Sequence, residues 1–152
     1  RGLRVAMAQI RRHRLIETWL AQAMGFRWDE VHCEAERLEH HISKSLERKI
    51  DALLGFPTHD PHGDPIPGDD LCWPEASDLR SMVEMSAGQT GRVVQVKDQE
   101  PDTLGLVARL GLRPGTALTV ESSGRSGVAV AVDGERFLVP RELAELLMME
   151  VE

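Results

Sequence analysis

The nine residues His32-Cys33-Glu34-Ala35-Glu36-Arg37-Leu38-Glu39-His40 carry the reading of this chain. On a helix, positions three and four apart share a face. His32, Glu36, Glu39 and His40 therefore form one stripe of two imidazoles and two carboxylates. Such a stripe offers nitrogen and hard oxygen together, a donor mix suited to divalent cations. The bland alternative is a solvated charged face, which many helices have. Cys33 lies about 100° round the helix from His32, which predicts a small packed side chain rather than a ligand.

Around that stripe the first half reads as helical. From 3 to 24, Val5, Ala8, Ile10, Leu15, Trp19, Leu20 and Ala23 recur at helical spacing, and Gly25 closes the segment. A second helix is predicted over 28–42, with Asp29 and Glu30 in its first turn, where the helix dipole favours acids. Ser43 can cap a third, carrying Leu46, Ile50, Leu53 and Leu54 before Gly55 and Pro57 stop it. Three short helices make a thin core. An apolar stripe including Trp19, Phe26 and Trp28 predicts completion of that core across a two-fold dimer, or cover from the second half of the chain.

A second donor group, His13 and Glu17 at i and i+4, sits on the first helix. Antiparallel packing of the first two helices would bring it beside His32. The alternative is an exposed basic patch, since His13 lies in an Arg11-Arg12-His13-Arg14 run. His41, His59 and His62 are expected on the surface or in a turn.

The segment 57–74 changes character: five prolines with Gly63 and Gly68 predict a loop and linker. Beyond it the chain reads as β-rich, with strands over 91–96, 117–122, 128–132 and 136–139 and a hairpin turn at Asp133-Gly134. A short helix is expected over 102–110, ending at Gly111, and another from Pro140. The fold class is α+β: a helical metal-binding and dimerisation domain (1–71), a linker (72–78), and a small five-stranded SH3-like barrel (79–152).

Bulk properties bound the function. The chain has 152 residues, 41% hydrophobic and 28% charged, so a packed core is feasible. Its net charge of −7 argues against a stand-alone nucleic-acid binder and suits a protein that attracts cations. Two cysteines without a CxxC pattern exclude a disulfide framework and a zinc ribbon. No apolar run approaches the roughly 18 residues that span a bilayer, so a cytoplasmic protein with no membrane partner is expected. Enzyme signatures fail. There is no HExxH, phosphate loop, nucleophile elbow or Rossmann fingerprint. His32-Cys33-Glu34 matches half of a zinc deaminase motif whose cysteine half is missing.

Several runs together resemble the diphtheria-toxin-repressor family of metal-dependent transcriptional regulators. They are Arg11-Arg-His-Arg-Leu-Ile-Glu17, Trp28-Asp-Glu-Val-His32, Glu36-Arg-Leu-Glu-His40 and Asp60-Pro-His-Gly-Asp-Pro-Ile-Pro-Gly68. The second half resembles the SH3-like, FeoA-type domain of many members, with Leu110-Gly-Leu-Arg-Pro-Gly115 as its turn. The resemblance implies an ancillary metal site on His13, Glu17 and His32. Further oxygen donors would come from Lys97-Asp-Gln-Glu-Pro101, with Asp98, Gln99 and Glu100 as candidates. It implies a primary, activating site on Glu36, Glu39 and His40, whose remaining ligands belong to an N-terminal winged helix-turn-helix not seen here. That domain would be the route to operator DNA.

Iron-responsive members place a cysteine where this chain has Glu36, and manganese-responsive members a glutamate. A carboxylate is hard and a thiolate soft, so the resemblance points to the manganese transport regulator branch. Mn²⁺ is then the expected cofactor, Fe²⁺ a second possibility, and Zn²⁺ or Cd²⁺ surrogates. The implied protein is a non-enzymatic homodimeric repressor with metal as corepressor and no small-molecule substrate. The competing classes are a metalloenzyme, a metal-binding protein without a transcriptional role, and a metal-independent interaction module.

Overall fold

The computed structural model describes residues 1–152, arranged as two compact units, Arg1–Ala76 and Ser77–Glu152. The first contains helices α1 (Gly2–Ala23), α2 (Val31–Leu38) and α3 (Lys44–Leu53). Gly25, at φ 72°, reverses the chain after α1. The Ser43 side chain accepts a hydrogen bond from Leu46 N–H, at 3.1 Å, and so caps α3. Two apolar clusters join the helices. Ile16 and Leu20 of α1 pack on Val31 and Ala35 of α2. Leu15 packs on Ile50 of α3 and on Ile66 of the following loop. Full burial of a side chain such as Leu15 contributes about 1.5–3 kcal/mol.

Helix α2 is shorter at both ends than its sequence pattern suggests. Its last residues tighten into a turn, with His41 N–H donating to Leu38 O. Ser43 must adopt an extended conformation (ψ 161°) to cap α3, which ends α2 early. At the other end Trp28 lies outside the helix, and its indole N–H donates to Pro61 O at 2.7 Å.

The 58–72 segment belongs to this unit rather than linking it to another. His59 and Pro65 form a β-bridge, and Asp60, His62, Asp64 and Ile66 are all buried. Trp28 is 8% exposed under this loop, so it is sealed within its own unit and is no part of an uncovered stripe. Nor is the arginine run an exposed patch. Arg11 is buried, with bonds to Glu47, Asp51 and Pro67 O that tie α1 to α3 and to the loop.

The second unit is a six-stranded antiparallel sheet in the order β1-β6-β2-β3-β4-β5. The strands are β1 (Arg80–Ser81), β2 (Thr90–Val96), β3 (Ala117–Ser123), β4 (Gly127–Val132), β5 (Glu135–Pro140) and β6 (Leu147–Val151). Helix α4 (Pro101–Arg109) joins β2 to β3, and α5 (Arg141–Leu146) joins β5 to β6. Alternate inward residues, among them Val93, Val120, Val128, Val130 and Met149, are fully buried. Bulges in β2 and β3 bend the sheet into the SH3-like form. Asp133 and Gly134 both take positive φ, the turn that two-residue hairpins favour. The sequence pattern suggests five strands and places four of them, and both β1 and β6 fall outside those four ranges. Strand β6 follows α5 without a breaker, and its Leu and Met residues favour helix intrinsically. Pairing with β2 decides its conformation.

Candidate metal centre

The donors of α1 and α2 converge. His13 Nε2 lies 2.6 Å from Glu17 Oε1, His32 Nδ1 lies 3.0 Å from the same oxygen, and the two ring nitrogens are 3.1 Å apart. Neighbouring donors of a six-coordinate ion, each about 2.1 Å from it, stand about 3.0 Å apart. The three atoms already have that spacing, so the residues present fit a divalent cation. The i, i+4 spacing on α1 sets the first edge, and the packing of Ile16 and Leu20 on Val31 and Ala35 sets the other two.

The outer nitrogens of both rings are held by acids. Glu39 Oε2 is 2.8 Å from His13 Nδ1, and Glu36 Oε1 is 3.1 Å from His32 Nε2. Carboxylates in such positions fix ring orientation and raise the basicity of a metal-binding imidazole. Arg12 adds a support, donating to Glu39 O and pairing with Glu47.

Glu17 is 1% exposed. Burial pushes its carboxyl up, but His13, His32 and His62 outweigh that and hold it well below the usual carboxylate range. Burial lowers His13, but Glu17 and Glu39 more than offset this and raise it. His32 is raised by its bond to Glu17 against a smaller effect of burial. The centre is thus a buried carboxylate surrounded by imidazoles that share positive charge, which a divalent ion can replace.

A second trio shares Glu17. Single donor atoms of Glu17, Asp60 and His62 lie within 4.8 Å of one another, and all three residues are buried. His62 lies in a turn, one of the two placements expected from sequence, but at 0% exposure it is not on the surface. Its Nε2 bonds to Trp28 O at 2.8 Å, and its Nδ1 faces Glu17 Oε2 at 3.5 Å. Asp60 Oδ1 accepts from the backbone N–H groups of His62 and Asp64, each at 2.9 Å. Burial, then the charges of Asp64 and Glu17, push the Asp60 carboxyl well up. The signal for this trio was present in the Asp60-Pro-His-Gly-Asp-Pro run, a histidine between two acids in a proline-stiffened loop.

The other expected donors are placed differently. Glu36, Glu39 and His40 do not converge on a point. Glu36 turns to His32, Glu39 to His13, and His40, exposed, lies 3.3 Å from Glu39 Oε1. The early end of α2 breaks the stripe. Cys33 is exposed rather than packed, and His41 and His59 are exposed. Asp98 Oδ1 accepts from the N–H groups of Gln99 and Glu100, shaping the entry to α4, whose N-cap is Glu100.

Fold and site together define a class: a metal-binding helical module followed in the chain by an SH3-like domain. Residues 1–68 match the family described as iron dependent repressor, metal binding and dimerisation domain, and residues 80–151 match the FeoA domain. The iron-dependent repressor IdeR of Mycobacterium leprae is 36% identical, over 99% of this chain and 70% of its own length. The diphtheria toxin repressor of Corynebacterium efficiens is 30% identical, over 98% and 68%. A manganese-dependent transcriptional repressor solved in complex with manganese superposes with a TM-score of 0.90 at 41% identity, covering 97% of this chain and 71% of that one. The chain belongs to the diphtheria-toxin-repressor family of metal-dependent transcriptional regulators.

Proposed function

We propose that this chain is the metal-sensing and dimerisation portion of a manganese-responsive repressor, in which the bound divalent ion acts as corepressor. The observation that carries the reading is the convergence of His13, Glu17 and His32 on one point, with Glu17 buried. Glu36, Glu39 and His40 are assigned to the outer, activating cluster. Asp98, Gln99 and Glu100 are candidates for further oxygen donors. The metal supplies positive charge, and a state that binds it preferentially gains population accordingly.

Relatives divide on the metal: some are named as iron-dependent, others as manganese-dependent. The carboxylate of Glu36, where a thiolate would favour softer ions, supports Mn²⁺ over Fe²⁺. Zn²⁺ and Cd²⁺ are surrogates, and structures of a relative hold each of them. The match to a dimerisation domain, together with exposed Leu3, Val5, Leu53 and Phe56, supports a homodimer. Operator contact is assigned to a DNA-reading domain outside 1–152, since the acidic balance of the chain provides no basic footprint. Action on DNA implies a cytoplasmic site, and no helix is long and apolar enough to cross a membrane.

Calorimetric titration of Mn²⁺, Fe²⁺ and Zn²⁺ into the wild type and Glu36→Ala tests the reading. It predicts tight binding of Mn²⁺ that Glu36→Ala weakens. Absence of binding by all three ions refutes it. Sedimentation showing only monomer at micromolar protein removes the dimer.

A further inference from the structure

We propose that the free edge of β5 is a self-association surface, along which two copies of this chain pair antiparallel about a two-fold axis at Leu138. The inference is separate from the metal-sensing reading and needs no ion.

The sheet of the second unit has two unlike edges. Strand β1 is only two residues long, whereas β5 runs for six and pairs with β4 without a bulge. Exposed edges are ordinarily blunted by shortness, bulges, proline or charge. The centre of β5 is Phe137-Leu138-Val139, and Leu138 is 51% exposed. The one charge close to that centre, Arg136, reaches back over the sheet to Glu121 of β3 at 3.0 Å and leaves the edge unguarded.

The register fixes which backbone groups are free. Val132 and Glu135 close the Asp133-Gly134 turn, and in a two-residue hairpin that pair exchanges both backbone bonds. Bonded and non-bonded pairs then alternate, so Glu135, Phe137 and Val139 turn their N–H and C=O groups to β4. Arg141, next in that series, donates its N–H to Ser126 O, as the alternation requires. Arg136, Leu138 and Pro140 therefore turn their backbone groups to the open side.

Those three positions complement a second copy of themselves. With the axis at Leu138, the two Leu138 residues exchange both bonds, and each Arg136 N–H meets the carbonyl of Pro140 in the other copy. Every outward N–H of β5 finds an acceptor, and the position without an N–H is the proline. The same register sets the exposed Leu138 side chains against each other, whereas an axis at Phe137 would set each against Arg136. Glu135 and Arg141, both exposed and three residues either side of Leu138, then face one another twice. Opposite charges facing across strands favour pairing. An isologous two-fold contact of this kind closes on itself.

The test uses the full chain without metal, and residue-resolved amide exchange reads the edge itself. The proposal predicts that the Arg136 and Leu138 amides exchange freely in dilute protein and gain protection as protein concentration rises. Leu138→Lys sets two ammonium groups together at the axis and should abolish the gain at Arg136. The Val139 amide, bonded to β4, reports whether the hairpin is intact. Glu135→Arg alone and Arg141→Glu alone should each weaken the pairing, since each sets like charges face to face. Mixing those two variant chains should restore it, because every facing pair is then opposite in charge. Free exchange at all concentrations refutes the proposal. Protection independent of concentration refutes it too, because the edge is then covered within one chain. Protection that survives Leu138→Lys overturns the two-fold at that residue. Should Leu138→Lys misfold, the mixing experiment decides: no recovery on mixing refutes the pairing.

Discussion

Replacing Glu17 by Gln probes the centre at its most connected point. The carboxylate contacts His13 at 2.6 Å and His32 at 3.0 Å, at 1% exposure. Hydrogen bonds to charged groups are worth about 1.5–3 kcal/mol each, so Glu17→Gln destabilises the metal-free protein too. The informative quantity is therefore the gain that metal gives within each protein. An ion that binds only the folded state at 100 times its dissociation constant adds about 2.7 kcal/mol. With a urea slope of about 1–3 kcal/mol/M, that moves the unfolding midpoint by about 0.9–2.7 M. All three tryptophans, Trp19, Trp28 and Trp73, lie within 1–76, so tryptophan fluorescence reports the helical unit specifically. Wild type should show the midpoint shift on adding Mn²⁺ at fixed protein concentration, and Glu17→Gln almost none. A shift of equal size in Glu17→Gln would refute the reasoning, because the ion would then be held elsewhere.

Other substitutions have distinct expected outcomes. Glu39→Gln, which loosens the His13 ring rather than removing a donor of the first trio, should weaken Mn²⁺ binding about 10–100-fold in calorimetry. Glu36→Cys should shift preference from Mn²⁺ toward Zn²⁺ and Cd²⁺ in competition titrations, following ligand softness. Glu47→Ala removes one of the two carboxylates paired with the buried guanidinium of Arg11, which keeps Asp51 and Pro67 O, and should cost about 1.5–3 kcal/mol in urea denaturation. Burial raises the Glu47 carboxyl, but Lys44, Arg12 and Arg11 outweigh it and depress it. Its stabilisation is thus complete above the unfolded value of about 4.3 and fades as pH falls through the lower folded value. The Glu47→Ala difference should shrink correspondingly below about pH 4. Gly127→Ala would place a Cβ against Val139 O, a backbone atom, and should destabilise the β4–β5 hairpin by about 2–4 kcal/mol, read by amide exchange.

What could be read from the sequence was what local chemistry dictates. Ser43 caps α3 because its side chain reaches a nearby N–H, and Asp133-Gly134 turns because of the φ angles that pair tolerates. The His13–Glu17–His32 grouping was legible because i, i+4 spacing and two amphipathic faces suffice to bring it together. Long-range pairing overrode intrinsic preference at β6. Burial of His62 and Asp60 depended on a loop folding back over Trp28, which composition alone reads as an open linker. The divergence of Glu36, Glu39 and His40 followed from the cap of α3, two residues beyond His41, which cuts α2 short.

The central claim concerns nitrogen. Pulsed electron paramagnetic resonance on the Mn²⁺-loaded chain, with histidine labelled by ¹⁵N, reports directly whether imidazole binds the ion. The account predicts histidine nitrogen couplings that fall in His13→Ala and again in His32→Ala. A shell of oxygen alone, unchanged by either substitution, would contradict it.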